Sequence, residues 1–175
     1  MYYKSTYESP LGQIVIVSDD ETIKGVWFAD QKYFASNYDL DTAIDQETPV
    51  ISQTKSWLDA YFAGENPPVD TSILNPEVTP YRQQVLDALL NVPYGQTISY
   101  QEIADQVAIN TPGKRGSARA AGGAVGHNPI SILIPCHRVV ATNGALTGYA
   151  GGIDRKIALL ALEGIDQSKL DNHQV

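Results

Sequence analysis

Ser99-Tyr100-Gln101-Glu102 and, past an intervening loop, Ser117-Ala118-Arg119-Ala120-Ala121-Gly122-Gly123-Ala124-Val125 are the stretches whose reading decides the fold. The first matches a capping box. The Ser99 hydroxyl can accept the Glu102 amide while the Glu102 carboxylate reaches back to the Ser99 amide, which predicts a short helix to about Ala108. The second stretch predicts another helix from near Ser117. Between them runs Asn110-Thr111-Pro112-Gly113-Lys114-Arg115-Gly116, a loop carrying basic residues. Helix, basic turn, helix is the arrangement of a DNA-reading module. The second helix accepts a penalty, because Gly122 and Gly123 each cost about 1 kcal/mol relative to alanine in a helix interior. Something must approach its backbone closely, either a neighbouring element or a nucleic acid. Small side chains with one protruding Arg119 suit insertion into a narrow groove, since readers of a wide one carry several long polar side chains.

Upstream, Thr79 as N-cap, Pro80 at the first helical position and Val85, Leu86, Leu89 and Leu90 at core spacing predict a helix that Pro93-Tyr94-Gly95 closes. Before it, Glu65-Asn66-Pro67-Pro68-Val69-Asp70 through Asn75-Pro76 is rich in prolines and turn formers and marks a domain boundary. The expected division is a sheet domain with linker over residues 1–75 and a helical domain over 76–175. In the first part, Gly12-Gln13-Ile14-Val15-Ile16-Val17-Ser18 and Thr22-Ile23-Lys24-Gly25-Val26-Trp27-Phe28 read as hairpin strands around an Asp19-Asp20 turn, followed by weakly patterned residues 29–49. Residues 51–62 read as an amphipathic helix with Gly64 past its end.

Downstream, Asn128-Pro129 precedes an apolar run, residues 130–134, that reads as a buried extended segment leading into Pro135-Cys136-His137-Arg138-Val139-Val140. Thr142-Asn143-Gly144 is a turn, and Gly148-Tyr149-Ala150-Gly151-Gly152 is tightly bent or closely approached by a ligand. Asp154 can cap a last helix through Leu159, Leu160 and Leu162 to Glu163, with Gly164 as its stop.

Cys136 is the only cysteine. The thiolate is the reactive form and a neighbouring base favours it, so Cys136 beside His137 reads as a nucleophile. It reads equally as a small buried hydrophobe, the usual state of a free cysteine. One cysteine and three histidines exclude an intramolecular disulfide framework and a thiolate-rich zinc site. No metal and no cofactor are expected. The chain has no apolar leader and no 18-residue apolar stretch, so a soluble, cytoplasmic protein without membrane contact is expected.

The net charge of -8 argues at first against a nucleic-acid partner, but it is unevenly spread. Residues 1–90 hold 5 basic and 14 acidic side chains, whereas residues 91–164 hold 6 and 4. The six cations are Lys114, Arg115, Arg119, Arg138, Arg155 and Lys156, in tight groups. Such clustering suits a phosphate-facing surface, although a solvated face reads the same way on charge alone.

Four separated blocks resemble the O6-alkylguanine-DNA alkyltransferases, also called methylated-DNA-protein-cysteine methyltransferases. They are Pro93-Tyr94-Gly95-Gln96-Thr97-Ile98-Ser99-Tyr100, Arg119-Ala120-Ala121-Gly122-Gly123-Ala124, Asn128-Pro129 through Val140, and Gly148-Tyr149-Ala150-Gly151-Gly152 with Leu159-Leu160 and Glu163-Gly164. The resemblance covers nearly the whole chain. It implies an α+β fold: an N-terminal RNase H-like sheet domain, then a mainly helical, winged-helix-like (helix-turn-helix) domain that binds DNA and holds the active site. It implies a monomer that acts on double-stranded DNA carrying O6-alkylguanine, flips the base out and moves the alkyl group irreversibly onto Cys136.

By the same resemblance, Arg119 is the finger that fills the gap left by the flipped base, and Tyr100 donates a proton toward guanine N3. His137 takes the thiol proton through water while Glu163 orients the imidazole. Asn128 holds the turn between recognition helix and active-site strand. The carbonyls of Cys136 and Val139 read the guanine amino group, and the amide of Ala150 donates to O6. Val125, Ser131 and Tyr149 line the pocket, and Ala120, Gly122, Gly123, Arg138, Lys114 and Arg115 meet DNA. The turn around Thr111 to Gly116 is longer than in many members, and Ser131 stands where some carry proline. Three rivals compete with this reading. An alkyltransferase-like binding module would replace Cys136, and a winged-helix regulator would leave the Pro-Cys-His block unexplained. A cysteine hydrolase would need an oxyanion-hole motif, and none is evident.

Overall fold

The structure, a computed structural model, describes residues 1–32, 34–35, 38–109, 117–141, 143–144, 146 and 148–165. The chain divides into two compact units, the first formed by Met1–Glu77 with Pro129–Leu133, the second by Val78–Asn128 with the described residues from Ile134 onward.

The first unit is built on a sheet of β1 (Tyr3–Ser9), β2 (Gly12–Ser18), β3 (Ile23–Phe28) and β4 (Ile44–Asp45) in the order β3-β2-β1-β4. Its pairs are antiparallel except β1 with β4. β1 has no sequence counterpart in the strands expected, because none of its residues is fully buried and its pattern is polar. The β1–β2 turn is tied by Ser9, whose Oγ accepts the Leu11 amide at 3.1 Å and donates to the Gly12 carbonyl at 2.6 Å. Both faces of β2 are covered. Val15 and Val17 pack with Trp27 and Ala35 under Tyr2, Phe34, Tyr38 and Leu40, while Ile14 and Ile16 point the other way and are fully buried. Gly25 is dictated by Trp27: a Cβ there would lie 1.9 Å from the indole ring.

Helix α1 (Pro49–Phe62) starts where Thr48 accepts the Ile51 amide and Pro49 takes the first turn, and it buries Ile51, Leu58 and Tyr61. Each such side chain contributes about 1.5–3 kcal/mol by leaving water. The outer edge of β3 is occupied by parallel bridges from Leu74 and Ile130. The Val26 amide donates to the Pro129 carbonyl at 2.8 Å and its carbonyl accepts the Ser131 amide at 2.9 Å.

The expected extended segment over 130–134 ends at that bridge. Ile132 has φ +73°, a region that β-branched residues almost never occupy, and the Leu133 amide closes a three-residue turn on the Ser131 carbonyl at 2.9 Å. An apolar run signals burial, and it does not distinguish a strand from a buried turn.

In the second unit, α2 (Pro80–Leu90), α3 (Tyr100–Ile109) and α4 (Ala118–Gly126) pack on one another. They bury Val85, Leu86 and Leu89, then Ile103, Ala104 and Val107, then Ala121, Ala124 and Val125. All three starts are capped, the first two as the sequence predicts. Thr79 accepts the Arg82 amide at 3.3 Å, Ser99 and Glu102 exchange bonds of 3.0 and 3.1 Å, and Ser117 accepts the Ala120 amide at 3.1 Å. A parallel ribbon of β5 (Ile98–Ser99) and β6 (Val139–Val140) joins the helices to the Cys136 segment. The last helix, α5 (Ile153–Leu162), begins at Gly152 (φ +97°) with no side-chain cap, so Asp154 is a first-turn acid rather than the cap expected. Among the described residues no helix is long and apolar enough to cross a membrane.

Candidate active site

Cys136 opens a single helical turn, Cys136–Arg138, directly after Pro135. Pro135 (φ -81°, ψ 65°) forms a tight turn in which the Cys136 amide donates to the Ile134 carbonyl at 2.8 Å. Asn128, leaving α4, donates from Nδ2 to the same carbonyl at 2.8 Å, so one acceptor ties the helix end to the cysteine turn. The thiol is buried. Burial pushes its pKa up, opposed by the polar groups of Asn128 and Tyr149 and by the charge of Lys156. At neutral pH the sulfur therefore holds its proton and needs a base to become a nucleophile.

The next two residues carry an imidazole and a guanidinium that meet on one carboxylate. His137 is fully buried, and burial outweighs the Glu163 carboxylate to push its pKa down, so the imidazole is neutral. Its Nε2 lies 2.6 Å from Glu163 Oε2; a carboxylate only accepts, so Nε2 carries the proton and Nδ1 carries the lone pair. Glu163 serves four donors. Oε1 accepts Arg138 Nε at 2.8 Å and the Gly95 amide at 3.1 Å, while Oε2 accepts Arg138 Nη2 at 3.1 Å besides His137. Gly95 has φ +79°, and a Cβ on it would lie 3.2 Å from the Glu163 carbonyl, which is why the Pro93-Tyr94-Gly95 turn ends in glycine.

Arg138 is placed differently from the expectation of DNA contact. Its guanidinium grips Glu163 with two nitrogens, donates from Nη1 to the Val92 carbonyl at 2.7 Å and lies over the Tyr94 ring. Sequence shows its charge but not its direction. Lys156, grouped by sequence with the phosphate-facing cations, is also turned inward. It is fully buried, with Nζ donating to the Val139 carbonyl at 2.5 Å, and burial lowers its pKa to about 8 against the raising influence of Cys136. Sequence reasoning missed it as a site residue. The only signal was its position one turn before Leu159-Leu160, on the same helix as Glu163.

The other expected residues divide into groups. On α4, Arg119, Ala120 and Gly123 are exposed, Gly122 is half-buried and Val125 is buried. A Cβ on Gly122 would meet the Tyr100 ring at 3.7 Å, ordinary contact, and one on Gly123 would meet no described atom within 4 Å. Packing within the described chain does not require glycine at 123. The Cys136 carbonyl accepts the Val139 amide, and the Val139 carbonyl accepts Lys156, which leaves each a second lone pair. Tyr149 and Ala150 are half-buried, with Tyr149 among the groups that favour the Cys136 thiolate. The Ser131 hydroxyl donates to Gln31 Oε1 at 3.2 Å, both residues lying in the first unit. Lys114, Arg115 and the turn over 111–116 lie outside the described residues. Among the described residues no cluster of three or more metal-ligating side chains occurs.

Comparison with known proteins places this geometry. Residues 80–165 match the family described as "6-O-methylguanine DNA methyltransferase, DNA binding domain", and residues 2–75 match its "ribonuclease-like domain". The methylated-DNA–protein-cysteine methyltransferase of Mycobacterium bovis is 42% identical over 93% of both chains, and the constitutive enzyme of Bacillus subtilis is 36% identical over 94% of this chain and 97% of its own. The crystal structure of Mycobacterium tuberculosis OGT in complex with DNA superimposes with a TM-score of 0.79 at 41% identity, over 93% of this chain and 92% of that one.

Proposed function

The chain belongs to the 6-O-methylguanine DNA methyltransferase family, and from that premise we propose that it repairs DNA by moving an alkyl group from O6-alkylguanine to Cys136 in a single turnover. The observation that carries the assignment is the buried chain of Cys136, His137, Glu163 and Arg138: a protonated thiol followed by a neutral imidazole whose remaining proton is held by a fixed carboxylate. That arrangement suits a resting nucleophile with a candidate base on the next residue.

In the proposed step the thiol proton passes through a water to His137 Nδ1, and Glu163 stabilises the imidazolium. Sγ then forms a bond to the alkyl carbon as the carbon–O6 bond breaks. The electron pair of that bond moves into the purine, and Tyr100 donates its hydroxyl proton toward N3. Repaired guanine and a thioether at Cys136 are the products. A thioether has no leaving group that this site activates, which makes the protein the co-substrate.

The alkyl carbon is hidden in a stacked base, so the base leaves the helix first. Arg119 fills the gap. The exposed small residues Ala120 and Gly123 let the α4 backbone approach a groove, and the open space at Gly123 supports that reading. The Val139 and Cys136 carbonyls take the guanine amino group on their second lone pairs. The protein acts as a monomer in a reducing, cytoplasmic setting where a lone thiol stays reduced.

The test is a duplex whose restriction site is blocked by O6-methylguanine. With limiting protein, the fraction of duplex restored to cleavage is expected to equal the molar ratio of protein to DNA and to be zero with Cys136→Ala. Restoration by the alanine variant, or restoration of many duplexes per chain, would overturn the proposal.

A further inference from the structure

Lys156 is a fully buried cation that the proposed transfer leaves without a task. Burying an ammonium is expensive, so its position requires a compensating interaction. One is the bond to the Val139 carbonyl at 2.5 Å, which fixes Nζ beside β6, one turn of chain from Cys136. The other is electrostatic, and it is mutual: the Lys156 charge favours the Cys136 thiolate, and the Cys136 charge favours the Lys156 ammonium.

The charges around the sulfur can be assigned. On the Cys136–Arg138 turn, His137 is neutral and Arg138 is matched by Glu163, which stands at the end of α5. Tyr149 favours the thiolate but is no cation. Lys156, in the first turns of α5, supplies the remaining positive charge, and the thiolate supplies the negative charge that balances it.

We propose that Lys156 is the charge partner of the Cys136 thiolate, anchored by the Val139 carbonyl, so that the nucleophile forms as a buried ion pair. This rests on the transfer reading above. His137 accepts the proton, and Lys156 stabilises the sulfur anion left behind without itself gaining or losing a proton. As Sγ bonds to carbon the sulfur becomes neutral and the departing charge passes to the purine. Because its anchor is the carbonyl assigned to the guanine amino group, Lys156 also holds that acceptor in place.

Alkylation of Cys136 by iodoacetamide across a pH series needs no DNA and so tests this apart from repair. In Lys156→Met, which keeps the packing and removes the charge, the reactivity midpoint is expected to rise by at least one pH unit, about tenfold less thiolate at neutral pH. Transfer from O6-methylguanine duplex is expected to slow about tenfold, with duplex affinity within twofold of the parent. The reciprocal measurement uses the native lysine: the 13C signal of Lys156 Cε is titrated in the parent and in Cys136→Ser, where the midpoint is expected to fall. An unchanged iodoacetamide midpoint in Lys156→Met, or an unchanged Lys156 midpoint in Cys136→Ser, overturns the pairing. The second stands even if the methionine variant fails to fold. Shifted midpoints with no repair activity would instead retain the ion pair and sink the transfer reading.

Discussion

The two units of this chain place charge in opposite ways. In the first, two ion pairs sit toward the surface, Lys55 with Glu47 at 2.6 Å and Lys4 with Asp45 at 3.9 Å, and a third joins the largely buried Lys24 to the partly exposed Asp19 at 3.7 Å. Its largest buried side chains are apolar or aromatic, among them Ile14, Ile16, Trp27 and Tyr61. In the second, a connected cluster of charges is inside. His137 and Glu163 have no exposed side-chain surface, Arg138 has 11%, and Lys156 lies fully buried beside them. Charge buried at this density is unfavourable unless every donor and acceptor is matched. The comparison teaches that the sheet unit is arranged for stability, whereas the helical unit accepts an electrostatic penalty where the chemistry is.

The largest difference should appear when one partner is removed. Glu163→Gln leaves the Arg138 guanidinium buried without its carboxylate and frees the His137 tautomer. Urea unfolding should show a loss of about 3–5 kcal/mol, and alkyl transfer by the folded fraction should fall at least a hundredfold. If stability and transfer both survive, the contrast between the units fails. Next comes Gly25→Ala in the sheet unit, where the new methyl group would overlap Trp27. A loss of about 1–3 kcal/mol is expected, with the transfer rate of the remaining folded protein unchanged. A selective loss of rate at full stability would mean that the sheet unit takes part in the chemistry.

A smaller effect concerns Ile132. At an ordinary backbone position glycine is less stable than alanine, but at φ +73° the order reverses. Ile132→Gly should therefore be more stable than Ile132→Ala by about 1 kcal/mol in thermal unfolding, and the opposite order would remove the strain inferred there. The smallest effect is expected for Glu47→Gln. It breaks the shortest surface ion pair of the sheet unit and should leave the unfolding midpoint where it was.

Much of the fold was legible because its signals are local. Thr79-Pro80, Ser99 with Glu102, and Ser117 cap their helices through their own neighbours, and β2 and β3 are short runs rich in β-branched residues around a turn signal. β1 was not legible, since Lys4, Ser5 and Thr6 are held by pairing rather than by burial of apolar surface. The turn at Ile132 was hidden inside an apolar run. At the site, the Cys136, His137 and Glu163 grouping could be stated from the resemblance. The inward turn of Arg138 and Lys156 could not, because the sequence records a cation without its direction. The bond of the Ser131 hydroxyl to Gln31, a hundred residues away in the chain, had no sequence signal either.

The central claim is that the buried thiol of the helical unit is itself the acceptor. Its most direct test is the mass of the peptide containing Cys136 after one equivalent of duplex carrying O6-methylguanine. The account predicts one added methyl group on the Cys136 sulfur and unmodified guanine in the DNA. A methyl group on any other residue, or repaired DNA with Cys136 unmodified, would contradict it.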